Sequence, residues 1–208
     1  LFRVPWPVLA LVGVILAAFA MQSQIGVDLV ADRLGFSAAS LAEGRIAPLF
    51  VSIFLHGSWP HVLVNSAFIL AFGTPVARRF GLDGGGGLAF IGFFLACGLL
   101  ANLGYAAAHP SSALAVVGAS GAASGLMAAA SRLMTREPGL APFTSSPVLG
   151  MAGAWLITNL ILALAEAFGV TGLSPGSGGA PVAWEAHLAG YAAGLFLFAP
   201  ALRLIRRG

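Results

Sequence analysis

Hydrophobic positions in this chain neither alternate with polar ones nor recur on one helical face; they run on almost unbroken, separated by short polar punctuation. The pattern divides into six runs, at about 6–24, 48–72, 88–107, 117–133, 147–167 and 184–202. A span of the hydrocarbon core takes roughly 20 apolar residues, and these runs have that scale. The stretch from Leu88 to Met134 is too long for one helix, and it breaks at "AAHPSS", where Pro110 and the serines oppose helix continuation. Other punctuation is a first loop carrying Asp28, Asp32, Arg33, Glu43 and Arg45, and a Gly/Ser/Pro loop, "GVTGLSPGSGGAPVA", at 169–183. The expectation is an all-α polytopic membrane protein, six helices in a single domain over residues 1–208.

Composition agrees. Of 208 residues, 59% are hydrophobic and 8% charged, whereas a soluble domain covers its surface with about a quarter charged residues. A net charge of +3, dispersed along the chain, gives no nucleic-acid footprint. The lone Cys97 excludes an intramolecular disulfide. All ten basic residues are arginines, which with abundant Ala and Gly points to a GC-rich bacterial genome and so to a bacterial cytoplasmic membrane. The opening run imitates a signal peptide but has no convincing cleavage site.

The arginines also orient the runs. With the N-terminus inside, Arg3, Arg78, Arg79, Arg132, Arg136, Arg203, Arg206 and Arg207 are cytoplasmic, and only Arg33 and Arg45 lie outside. That bias predicts both termini in the cytoplasm. Even-numbered runs then start at the outer face. Ser120 lies about 18 Å above the inner boundary, counted from Arg132, and His187 about 24 Å above it, counted from Arg203. His61 and Asn65, four apart on one face, fall in the outer half of the second run. Polar groups are costly in a bilayer and turn inward or to a water cavity, so three sets at one depth are read as converging.

Each feature has a plainer reading alone. "GASGAASG" is by itself a small-residue packing face, Asn65 interhelical glue, and His187 a satisfied core histidine. Their joint placement argues otherwise. Stripes of His187, Gly190 and Gly194, and of Ser120 and Ser124 with Gly121 and Gly125 beside them, let two helices approach closely. That brings the Ser120 hydroxyl to the base it needs to become nucleophilic. His56 lies five residues before His61, about 140° round a continuous helix, so the two do not chelate. No H-E-x-x-H and no three-ligand cluster is present, and neither metal nor cofactor is expected. "GLDGGGG" at 81–87 follows no strand and reads as a cytoplasmic linker. A transporter is disfavoured because residues 1–104 and 105–208 show no repeat.

These motifs resemble the rhomboid intramembrane serine proteases: H-x4-H-x3-N as His56, His61 and Asn65; G-x-S-G as Gly118 to Gly121; and His187 in "AHLAGYAAG", in order on the second, fourth and sixth runs. The resemblance implies a Ser–His dyad with Ser120 as nucleophile and His187 as base. It implies an oxyanion site from the Ser120 N–H, Asn65 and His61, and His56 as support for a loop. Substrates would be membrane-anchored proteins cut near the outer face; a silent client-binding relative is the alternative. The chain departs from the family in two places. Ser124 stands where a ring often packs on the catalytic histidine, leaving Tyr191 or another aromatic to supply it. Of the first loop's Trp-Arg pair only Arg45, in "EGRIAPLF", remains. Glu166 and Glu185 sit at outer ends, with Glu185 off the face of His187. The loop at 169–183 is a candidate cap.

Overall fold

The computed structural model describes residues 3–170 and 181–205. Its five long apolar helices are α1 (Trp6–Ile25), α5 (Trp59–Phe80), α6 (Gly84–Ala108), α8 (Ser146–Ala167) and α9 (Trp184–Ile205). Each has the length and composition to cross a membrane. Three short helices, α2 (Val27–Leu34), α3 (Ala38–Ala42) and α4 (Ala47–Val51), and a 3₁₀ turn at Ser52–Phe54 fill the connection between α1 and α5. The remaining helix, α7 (Ser120–Ser131), has only 12 residues. It rises about 18 Å, well short of a hydrocarbon core about 30 Å thick.

Two apolar runs are broken up by local chemistry. The run at 48–72 is not one helix: residues 55–58 are irregular and α5 starts only at Trp59. Ser58 caps it by accepting from the His61 N–H at 3.2 Å, and Pro60 follows in the first turn, where its missing N–H costs nothing. His56 is therefore in a loop, and the helical angle between His56 and His61 does not apply. The fourth run also begins late. Residues 112–118 form no helix, Val116 exchanging both backbone hydrogen bonds with Phe36 at 2.7 and 3.0 Å. The helix can start only after this strap.

"GLDGGGG" is also more than a linker. Asp83 caps α6 through the Gly86 N–H at 2.7 Å, and Gly84–Gly87 form the helix's first turn. A Cβ on Gly86 would meet the Gly81 carbonyl oxygen at 2.7 Å, and one on Gly87 would overlap the Trp6 ring. Glycine is what lets α6 rise beside the start of α1.

Hydrogen bonds tie the α1 region to α5 and its flanking residues at both ends. At one, Arg78 donates to the Arg3 carbonyl at 2.7 Å and Trp6 Nε1 to the Leu82 carbonyl at 2.9 Å. At the other, the Gln22 amide clamps His56, donating to its carbonyl at 2.8 Å and accepting from its N–H at 3.0 Å. Apolar rings fill the first end, where Phe80 meets Phe90, Phe93 and Phe198 at centroid distances of 5.5–6.4 Å. Arg132 is buried, donating from Nε to the Ala141 carbonyl at 2.8 Å and stacking over Phe143 at 4.2 Å. It anchors a loop rather than standing free at the surface.

The short α7 is the axis of the bundle. Every residue from Gly121 to Ser131 is buried, enclosed chiefly by α5, α6 and α9. Two glycine pairs make the α7–α9 approach possible. A Cβ on Gly190 would overlap the Gly121 carbonyl, and one on Gly194 the Gly125 carbonyl. In an apolar solvent such backbone proximity replaces the hydrophobic effect as the association force. By contrast α8 is peripheral: among its residues only Val148 and Asn159 are buried, and Leu149, Leu156, Ile157, Leu160, Ile161 and Leu164 face outward.

Candidate active site

Ser120 is the first residue of α7, and its position follows from the turn before it. Gly118 has φ +128°, a conformation that excludes most side chains. A Cβ there would also lie 2.9 Å from His61 Nε2 and 3.5 Å from Asn65 Nδ2. The Gly118 N–H donates to the Ser52 carbonyl at 2.9 Å. Asn102 of α6 in turn donates to the Leu49 carbonyl at 2.8 Å and to Ser52 Oγ at 3.0 Å, fixing that loop. The Ala119 N–H points to His56 Nε2 at 3.5 Å, and the fully buried His56 meets His61 edge-on at 5.0 Å between centroids. Thus His56 supports the turn ahead of Ser120 and is not part of a helix face.

Across the α7–α9 contact, His187 Nε2 lies 2.9 Å from Ser120 Oγ. Ser124 does not reach the histidine; it is buried and its hydroxyl donates back to the Ser120 carbonyl at 2.7 Å. A cavity of about 900 Å³ opens over this pair, lined also by His61, Asn65, Gly118 and Gly121. Asn65 is buried, and its Nδ2 has no partner among the described residues. The Ser120 N–H, at the first position of a helix, has no acceptor in the preceding turn, and the positive end of the helix dipole lies there. Asn65 and Ser120 both line this cavity, so these donors would favour negative charge within it.

Two residues that the motifs do not contain complete the surroundings of His187, both from α8. Its Nδ1 is 2.8 Å from Asn159 Oδ1. The Trp155 ring lies against the imidazole at 5.6 Å between centroids, tilted by 38°. Trp155, not Tyr191, is the aromatic neighbour; Tyr191 packs with Met127 and Ala128. The depth arithmetic that singled out Ser120 would have found Asn159. Thirteen residues from the start of α8, it lies about 20 Å along the helix, in a segment otherwise almost wholly apolar. Glu185 is engaged elsewhere, paired with His109 Nε2 at 2.7 Å. Of the loop at 169–183, residues 171–180, and with them most of the expected cap, lie outside the described residues.

An all-helical architecture with five helices long and apolar enough to cross a membrane marks an integral membrane protein, and a serine–histidine contact lies at the head of its buried short helix. The Rhomboid domain family model matches residues 43–204, most of the chain, and the chain belongs to the rhomboid family. No curated protein matches it significantly.

Proposed function

We propose that the chain is an intramembrane serine endopeptidase that cleaves membrane-anchored proteins in or near a transmembrane segment. The observation that carries this reading is the 2.9 Å contact between Ser120 Oγ and His187 Nε2 beneath an open cavity. His187 takes the hydroxyl proton as Ser120 attacks the scissile carbonyl carbon. The oxyanion accepts hydrogen bonds from the Ser120 N–H, Asn65 Nδ2 and His61. The protonated His187 then gives its proton to the leaving amine, and an acyl-enzyme remains. Water, deprotonated by His187, releases the acyl group. His56, Gly118 and Gly121 hold the turn, and Gly190 and Gly194 hold α9 against α7.

In this reading α7 is the sixth crossing, its short length compensated by the strap above it. Both termini are cytoplasmic, the arginine distribution being the support, and the site opens toward the outer face of a bacterial cytoplasmic membrane. The partners are the lipid bilayer and transmembrane protein substrates.

Labelling by a serine-reactive fluorophosphonate in detergent tests the proposal. Parent protein is expected to label, and Ser120→Ala and His187→Ala are not. A folded parent that stays unlabelled, or equal labelling of Ser120→Ala, would transfer the weight to the silent, client-binding alternative.

A further inference from the structure

We infer that Asn159 is a positioning residue for His187, the third member of a Ser120–His187–Asn159 relay in which a neutral amide takes the part that a carboxylate plays in soluble serine proteases. The inference rests on the protease reading above and assigns a role that the motifs leave vacant.

The amide is fully buried on a helix that turns most of its other side chains outward. Such a group is tolerated only if its donor and acceptor are both engaged, and both are. Nδ2 lies 2.8 Å from the Trp155 carbonyl, one turn earlier on α8, and Oδ1 lies 2.8 Å from His187 Nδ1. The first bond orients the second. A carbonyl can only accept, so the nitrogen of the amide is the atom facing Trp155 and the oxygen is the atom facing His187. That oxygen carries no proton, so Nδ1 must be the protonated nitrogen of the neutral imidazole. The lone pair then resides on Nε2, the nitrogen beside Ser120 Oγ. Asn159 thus selects the one neutral tautomer in which His187 can act as a base toward Ser120.

The step balances without a charge on Asn159. The Ser120 proton moves to Nε2 as the Oγ–carbon bond forms, and it leaves from Nε2 to the amine nitrogen as the peptide bond breaks. The Nδ1 proton stays on the ring throughout, its hydrogen bond to Oδ1 strengthening while the imidazolium exists. Glu185 is turned to His109. Trp155 and Asn159 are one turn apart on α8, so one helix holds both the face and the edge of the same ring.

The test uses the full chain in detergent, with ¹⁵N-labelled histidine and the His187 resonances assigned by difference from His187→Ala. The ring is expected to be the Nδ1–H tautomer in the parent. In Asn159→Leu the two tautomers mix, and in Asn159→Asp the Nδ1–H form returns. Cleavage of a membrane-anchored substrate is expected to lose kcat by about 10²-fold or more in Asn159→Leu, with KM little changed, and to be largely rescued by Asn159→Asp. An Nε2–H ring in the parent overturns the inference even if Asn159→Leu does not fold. So does a folded Asn159→Leu with the parental tautomer or the parental kcat. A parent unlabelled by fluorophosphonate but with an Asn159-dependent tautomer would instead sink the protease reading and leave Asn159 as a structural tether.

Discussion

Gly190 on α9 lies so close to Gly121 on α7 that a single added carbon at position 190 would overlap the Gly121 carbonyl. The contact is three residues along α9 from His187 and one residue along α7 from Ser120, so the missing Cβ of Gly190 sets how closely those two side chains approach. Gly190→Ala forces the helices apart or distorts one of them, an overpacking cost of about 1–3 kcal/mol. We expect a lower apparent melting temperature and a fall in fluorophosphonate labelling beyond the loss of folded protein. Parental labelling in Gly190→Ala would mean that the pair tolerates separation.

Asn65 presents the opposite case, a residue whose loss should harm chemistry more than stability. Its Nδ2 has no partner among the described residues, so Asn65→Ala removes no donor bond that they make. An oxyanion donor is worth about 10²–10³-fold in kcat. The expected result is a kcat reduced by that amount with the melting temperature within a few degrees of the parent. Steady-state cleavage and a thermal shift assay on the same preparation separate the two effects. A kcat close to the parent's would remove Asn65 from the oxyanion site.

Ser124 and Trp155 make a linked prediction. Ser124 is buried beside its own helix backbone, with no room for a ring, while Trp155 reaches His187 from α8. Ser124→Tyr, which installs the aromatic common in the family, is expected to destabilise the protein and not to improve labelling. Trp155→Ala is expected to slow labelling by up to about tenfold, the scale of an aromatic contact of roughly 0.5–1.5 kcal/mol, and Trp155→Phe to recover most of it. A faster Ser124→Tyr variant would show that ring support from α8 is inadequate.

How much of this was legible beforehand depended on whether a residue's neighbours lay within its own segment. The apolar runs foretold long helices because each is a local property, and the small-residue stripes foretold the α7–α9 contact because their partners share one spacing. The short α7 was not legible. Its start depends on Val116 pairing with Phe36, eighty residues away, and on Ser52 receiving the Gly118 N–H. His56 was misassigned to a helix for a subtler reason: hydropathy continues smoothly through Ser58 and Pro60, and only the capping chemistry of those two residues ends one element and begins the next. Asn159 belongs to no motif, and only its depth could have distinguished it from the apolar residues around it.

Gln22 shows the same blind spot, and it carries the last prediction. A glutamine near the end of an apolar run invites no comment, yet the Gln22 amide closes both backbone hydrogen-bonding groups of His56, thirty-four residues away. His56 Nε2 faces the Ala119 N–H, immediately before Ser120, so the clamp reaches Ser120 through one ring. Gln22→Leu keeps the bulk and removes both bonds, stranding an N–H and a carbonyl at a cost of about 1–3 kcal/mol each. The expected outcome is a clear drop in apparent melting temperature, larger than for Asn65→Ala, with labelling lost in parallel. Gln22→Glu preserves the acceptor for the His56 N–H but not the donor, and should fall between Gln22→Leu and the parent. Melting of Gln22→Leu at the parental temperature would mean that the loop around His56 is held by its packing against Phe19 and His61, and that the amide only decorates it.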